Sequence, residues 1–289
     1  MKKKFSKSNL LGGIITTAPV ALWMLGFFLV PLVLIVVVSF CTRGEVGDIV
    51  YAFTPSNYTK LVNSLYITIF FKSLLIAILT TVTCLVFGYP FAFIIARANK
   101  KLKPILLLLI VLPFWTNSLV RTYAMIILLR TEGIINTLLL DMKIISAPLH
   151  LMYNNTAVII GMLYMMFPFM VLPLYSSIEK LDVRVLEAAD DLGAGPINKF
   201  LKVTFPLTKG GVLSGSLLVF VPTLGLFFIT DLMGGSKVVL MSNLIKNQFL
   251  TARNWPFGAA ISVVLIVIMI IIIAFYTKLG GKVDKREVL

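Results

Sequence analysis

Glu187–Pro206 reads EAADDLGAGPINKFLKVTFP and sits in a polar, charged island, residues 179–210, between long apolar runs. Its alanines, with Leu186 and Leu192 on either side, favour a helix, because alanine gives up no side-chain freedom on becoming helical. Gly193 and Gly195 end that helix, since glycine accepts the left-handed dihedrals found just past a helix C-terminus. Pro196 suits the first turn of a second helix, where its missing N–H is no loss. The small alanines leave room for close docking, and Glu187, Asp190, Asp191, Lys199 and Lys202 supply orienting charge. A helix, a glycine turn and a second helix offer a soluble partner something firm to grip. The competing reading is an amphipathic loop resting on lipid headgroups.

The flanking sequence decides the fold class. Of 289 residues, 59% are hydrophobic, and the mean hydropathy is +1.00. Soluble domains average about 45–50% apolar, and none hides several apolar runs of about twenty residues. The chain is therefore an all-α polytopic membrane protein. Six transmembrane helices are expected at 11–41, 65–96, 104–129, 155–177, 211–232 and 258–279. The first runs far beyond the roughly 7–15-residue core of a signal peptide and lacks a small-residue cleavage site, so it reads as a retained helix. The intervals carry turn chemistry but no linker, so residues 1–289 read as a single transmembrane domain. Pro31, Pro90, Pro113, Pro168, Pro173 and Pro222 fall inside spans and predict bent helices around a shared pathway. No internal repeat is visible, which argues against an inverted-repeat carrier.

A net charge of +14 suggests nucleic acid until the charges are placed. Of the 26 Lys and Arg, 17 cluster beside apolar runs: Lys2, Lys3, Lys4 and Lys7; Arg97, Lys100, Lys101 and Lys103; Lys180, Arg184, Lys199, Lys202 and Lys209; Lys278, Lys282, Lys285 and Arg286. They occupy alternate span ends, the positive-inside pattern, which puts both termini and the 179–210 loop in the cytoplasm. Membrane lipid accounts for these charges, and nucleic acid is not expected as a partner. Cys41 and Cys84 read as small packing residues, and His150 has no ligand neighbours at metal-binding spacing. There is no G-x-x-x-x-G-K-[ST] phosphate loop, no H-E-x-x-H and no G-x-S-x-G, and nothing in the spans singles out the facing nucleophile and base that an intramembrane enzyme needs. The chain is expected to be no enzyme and to hold no cofactor or metal of its own.

The loop spacing, E-A-A, three residues, glycine, nine residues, then Val203-Thr204-Phe205-Pro206, is similar to the EAA motif of ABC importer membrane subunits. Val203 and Phe205 stand where that family usually has Ile and Leu. The resemblance implies that Glu187, Ala188, Ala189, Asp191, Gly193 and Pro206 couple to a separate ATPase, which binds the ATP and magnesium. VLPFWTNSLVRTYA (111–124), FPFMVLPLYSSIEKLD (167–182), ITDLMGGSK (229–237) and NWPFGAA (254–260) extend it across nearly the whole chain and resemble the spermidine/putrescine permeases. That family implies a type I importer (MetI-like) fold, a heterodimer with a second permease, a cytoplasmic ATPase dimer and an extracytoplasmic polyamine-binding protein. Related importers carry ferric iron or thiosulfate, so another small solute is the alternative cargo. A stand-alone carrier is the alternative class.

Polyamines are chains of ammonium groups that need aromatic faces and carboxylates or carbonyls. Trp115, Asn117 and Tyr123, beside the bend at Pro113, and Asp231 at the outer end of the fifth span are the candidate pathway residues. Trp115 and Tyr123 also read as interfacial belt residues, and Asp231 as a cap or a partner of Arg121 or Lys237. Arg121 would repel a polycation, and the sequence offers it loop carbonyls, Glu132 or Asp231 as partners.

Overall fold

A computed structural model of the chain describes residues 17–284, with side chains as far as Lys278. Residues 11–16 of the first expected span, and Lys2, Lys3, Lys4, Lys7, Lys285 and Arg286, lie outside the described residues, as does the side chain of Lys282.

The chain runs through α1 (Thr17–Ser39), a two-stranded antiparallel ladder, β1 (Thr42–Arg43) and β2 (Ile49–Val50), then α2 (Ser56–Leu61) and α3 (Ser64–Arg97). There follow α4 (Lys103–Val111), α5 (Ser118–Leu129), α6 (Ile134–Asp141) and α7 (Asn155–Glu179). The polar loop holds α8 (Val183–Asp191) and α9 (Pro196–Leu207), and α10 (Lys209–Gly225), α11 (Met241–Leu250) and α12 (Trp255–Asp284) complete the order. Thr17–Ser39, Ser64–Arg97, Ser118–Asp141, Asn155–Glu179 and Trp255–Lys278 are long and apolar enough to cross a membrane; α9 and α10, bent by 70°, make a sixth if joined. This is a multi-pass helical membrane protein.

The expected third span, 104–129, is interrupted. Pro113 lacks an N–H, so the chain tightens into a 3-10 turn at Leu112–Trp115 and turns extended at Thr116 (φ −93°, ψ 148°). Asn117 then caps α5, its Oδ1 accepting from the Leu119 N–H at 2.8 Å. The fifth, expected at 211–232, starts at Lys209 and stops at Gly225; Leu226 (φ −78°, ψ 75°) breaks it before short helical turns at Phe227–Ile229 and Thr230–Gly234. By contrast α3 runs unbroken through Pro90, α7 through Pro168 and Pro173, and α10 through Pro222. Pro31 follows a π-helical turn, Leu25–Leu29, whose wider spacing accommodates the missing donor.

Contacts divide the chain into two compact units, one up to Asn63 with Ile245–Val267, the other Ser64–Leu244 with the chain from Ile268. In the first, buried Asn57 donates to the Ser39 and Cys41 carbonyls at 3.0 and 2.8 Å, satisfying groups left open where α1 ends. In the second, α3, α7 and α10 pack together. α3 buries Ser73, Ala77, Thr80, Cys84, Gly88 and Ala92, a stripe of small residues at helical spacing. α7 meets it with Met162, Met165, Met166 and Met170, whose flexible thioethers fill an irregular seam. α10 turns Gly211, Gly215, Val219 and Thr223 inward, every fourth residue. A Cβ at Gly211 would lie 2.5 Å from the Ser177 Cβ and 2.8 Å from the Pro173 carbonyl oxygen, so only glycine permits this approach. That close seam fixes α10, and with it the far arm of the polar loop.

Candidate functional site

The polar loop is built by local chemistry. Asp182 opens α8, its Oδ1 accepting from the Arg184 N–H at 3.0 Å while its carboxylate pairs with the same guanidinium. α8 buries Leu186 and Ala189, one turn apart, and leaves Glu187, Ala188, Asp190 and Asp191 exposed. Gly193 then takes φ +74°, its N–H reaching the Asp190 carbonyl at 2.8 Å while the Ala194 N–H reaches that of Ala189 at 3.0 Å. This pair of bonds is the Schellman closure that glycine makes possible. Gly195 caps α9 rather than ending α8, and Pro196 takes the first helical position.

Two ties hold the arms. Lys199 of α9 reaches back to both Asp190 oxygens, the longer bond 2.8 Å. Tyr89 of α3, buried, shares a 2.7 Å hydrogen bond with Thr208, at the corner between α9 and α10. The Tyr89 ring meets Phe200 edge-on at 5.2 Å and Phe205 at 6.1 Å. Val203 and Pro206 are half-buried on this arm. The loop is thus anchored on one side and open on the other. Exposed on the loop are Glu187, Ala188 and Asp191, together with Leu192, Ile197 and Leu201, which are 89%, 72% and 56% exposed. Sequence reasoning named the acids and alanines but not these three apolar residues; the signal available was their place on a polar turn. An exposed apolar face on an otherwise charged loop fits burial by another protein.

The other candidates lie near the start of α5 and after α10. Trp115 closes the 3-10 turn and is exposed, Asn117 is the cap of α5, and Tyr123 lies on an exposed stripe with Val120 and Ile127. The structure gathers these three around one helix start. Asp231 is half-buried in the π-helical turn Thr230–Gly234 and accepts from the Asn243 Nδ2 at 2.5 Å. Asn243 also donates to the Phe227 carbonyl and accepts from the Leu240 N–H, so it pins the turn that carries the acid. Sequence reasoning missed Asn243. Arg121 has none of the partners expected for it. Its guanidinium lies 4.9 Å above the Phe114 ring, its Nε is buried without a hydrogen-bond partner, and no ion pair among the described residues involves it.

Packed apolar helices joined by a two-helix polar loop define a class, a multi-pass helical membrane protein. The chain belongs to the binding-protein-dependent transport system inner membrane component family, whose pattern matches residues 88–285. It is 47% identical over 272 residues to the spermidine/putrescine transport system permease protein PotB of Haemophilus influenzae, covering 94% of this chain and 95% of that one. The protein of the same name from Escherichia coli is 45% identical over 264 residues, covering 91% and 96%. In fold it is similar to a chain of a bacterial alginate ABC transporter crystallised with an alginate-bound periplasmic protein, with TM-score 0.76, 15% identity and coverage of 96% and 95%.

Proposed function

We propose that this chain is the membrane-spanning subunit of an ATP-driven importer of spermidine and putrescine. The observation that carries the reading is its identity with spermidine/putrescine permeases along nearly the whole length of both chains. The polar loop supplies the coupling element: Glu187, Ala188, Ala189, Asp191, Gly193 and Pro206 build a rigid two-helix unit that a cytoplasmic ATPase dimer grips. Because α9 meets α10 at 70°, packs Phe200 and Phe205 on the Tyr89 ring of α3 and joins α10 at Thr208, which Tyr89 hydrogen-bonds, a push on the loop is delivered to the seam of α3, α7 and α10 rather than absorbed by a slack linker. The basic clusters beside alternate span ends support a cytoplasmic position for this loop and both termini. A second, homologous permease completes the pathway, and an extracytoplasmic polyamine-binding protein delivers the cargo to it. Trp115, Asn117 and Tyr123 offer aromatic and polar contacts to a passing ammonium chain, and Asp231 offers the carboxylate.

The test is reconstitution. This chain, its permease partner and the ATPase, in liposomes with the binding protein, should accumulate labelled spermidine only when ATP is present. Accumulation of ferric iron or thiosulfate but no polyamine would reassign the cargo; ATP-independent uptake by this chain alone would reassign the class.

A further inference from the structure

Arg121 is the only charged residue between Pro104 and Leu129. It projects from the first turn of α5 toward a cavity of about 510 Å³ whose walls include Phe87 and Phe91 of α3, Leu109 of α4, and Tyr164 and Phe167 of α7. Besides Arg121, Tyr164 is the only lining residue with a polar side chain. At ~1.5 Å per residue, Tyr164 lies about 13 Å from the start of α7 and ~22 Å from its end at Glu179. The cavity therefore opens well inside the apolar thickness. An unpaired cation at such a depth is unfavourable and marks a missing partner; the Phe114 face compensates it only in part.

The candidates for that partner narrow quickly. Water needs two to four polar contacts, and this lining offers few. A lipid phosphate belongs at the headgroups, roughly 15 Å from the middle of a hydrocarbon core ~30 Å thick. A polyamine is repelled by the guanidinium. Among the described residues, a second copy of this chain brings its acids on loops, at helix ends, on the loop helix α8 or in the Thr230–Gly234 turn, where Asp231 is already bonded to Asn243. What fits is a carboxylate carried on an apolar helix of a different membrane subunit: it would accept side-on from the free Nε–H and a neighbouring Nη–H, and from the Tyr164 hydroxyl.

We propose that the Arg121 cavity receives an Asp or Glu side chain from a transmembrane helix of the partner permease, an intramembrane ion pair that sets the register of the two subunits. This rests on the two-permease reading above. It also removes the electrostatic difficulty, because a neutralised Arg121 no longer opposes a cationic cargo.

The experiment uses the whole importer, purified through a tag on this chain, with Arg121→Gln, Arg121→Glu and, in the partner permease, each intramembrane acid changed in turn to Arg. Arg121→Glu should lower the recovery of the partner permease by about tenfold, because removing one member of a buried pair strands the other. One acid-to-Arg change in the partner should restore it, and Arg121→Gln should fall between. In a Cys41→Ser, Cys84→Ser background, Arg121→Cys and a Cys at that same partner position should be joined by a bifunctional thiol-reactive cross-linker, the pair being too widely spaced for a direct disulfide. Wild-type recovery of Arg121→Glu, loss that no partner substitution restores, or loss of bound anionic lipid in place of the partner overturns the ion pair. A wild-type preparation with no second permease overturns the two-permease reading itself, so the two failures are distinguishable.

Discussion

Gly193→Ala isolates the contribution of one backbone dihedral to coupling. Gly193 has φ +74°, and an added Cβ there meets no heavy atom within 4 Å, so a substitution has no packing consequence and a purely conformational one. Holding an L-residue in the left-handed region costs about 1–2 kcal/mol, which lowers the equilibrium constant for closing the turn by roughly 5- to 30-fold. Gly195 is an internal control, because its surroundings are equally open and its φ of −63° suits any residue. The assay is the affinity of the purified ATPase for the reconstituted permease pair, read beside spermidine transported per ATP hydrolysed. Gly193→Ala should weaken ATPase binding by about 5- to 30-fold, Gly193→Asn by less because Asn tolerates that region, and Gly195→Ala by less than about twofold. Equal effects at 193 and 195, or wild-type coupling in Gly193→Ala, would refute the argument that the turn's rigidity transmits force.

Gly211→Val should strip α10 from α7, costing about 1–3 kcal/mol or more, seen as a lowered Tm in detergent and reduced yield of folded protein. Tyr89→Phe keeps the ring contacts with Phe200 and Phe205 but removes the bond to Thr208; a loss of about 0.5–1.5 kcal/mol in stability should accompany a lower ratio of transport to hydrolysis. Lys199→Ala should change overall stability by less than about 1 kcal/mol, because its pair with Asp190 is partly exposed, and thermal unfolding checks this directly. Asp231→Asn should reduce spermidine uptake while leaving ATPase recruitment intact, with transport and pull-down assays run on one preparation; equal loss of both would place Asp231 in folding rather than in the pathway.

The polar loop was legible because its chemistry is local. Gly193 and Pro196 act through their own dihedrals, so their spacing specifies the turn, whereas Gly195, read as ending the first helix, caps the second, and the Asp182 cap of α8 went unread. The apolar spans were legible as a class for the same reason that their ends were not: when every position is hydrophobic, periodicity carries no boundary. Only specific residues mark the breaks. Pro113 and Asn117 divide the third segment, and Leu226 ends the helix that sequence reasoning extended to residue 232. Contacts between distant residues left no local trace. Tyr89 and Thr208 are 119 positions apart, and Asn243 reaches Asp231 only because the chain turns back between them. Arg121 was recognised as anomalous, yet loop carbonyls, Glu132 and Asp231 were weighed as its partners, whereas it packs over the Phe114 ring and lines an apolar cavity, contacts that no charge pattern announces.

The central claim is that this chain is the membrane part of an energy-coupled polyamine importer. Its most direct test is accumulation of labelled spermidine and putrescine by cells lacking only this chain, compared with the same cells carrying it on a plasmid. The account expects energy-dependent accumulation to disappear with the chain, to return with the wild-type copy, and to stay absent with Gly211→Val. Undiminished accumulation without the chain, with no other polyamine transporter active in those cells, would contradict it.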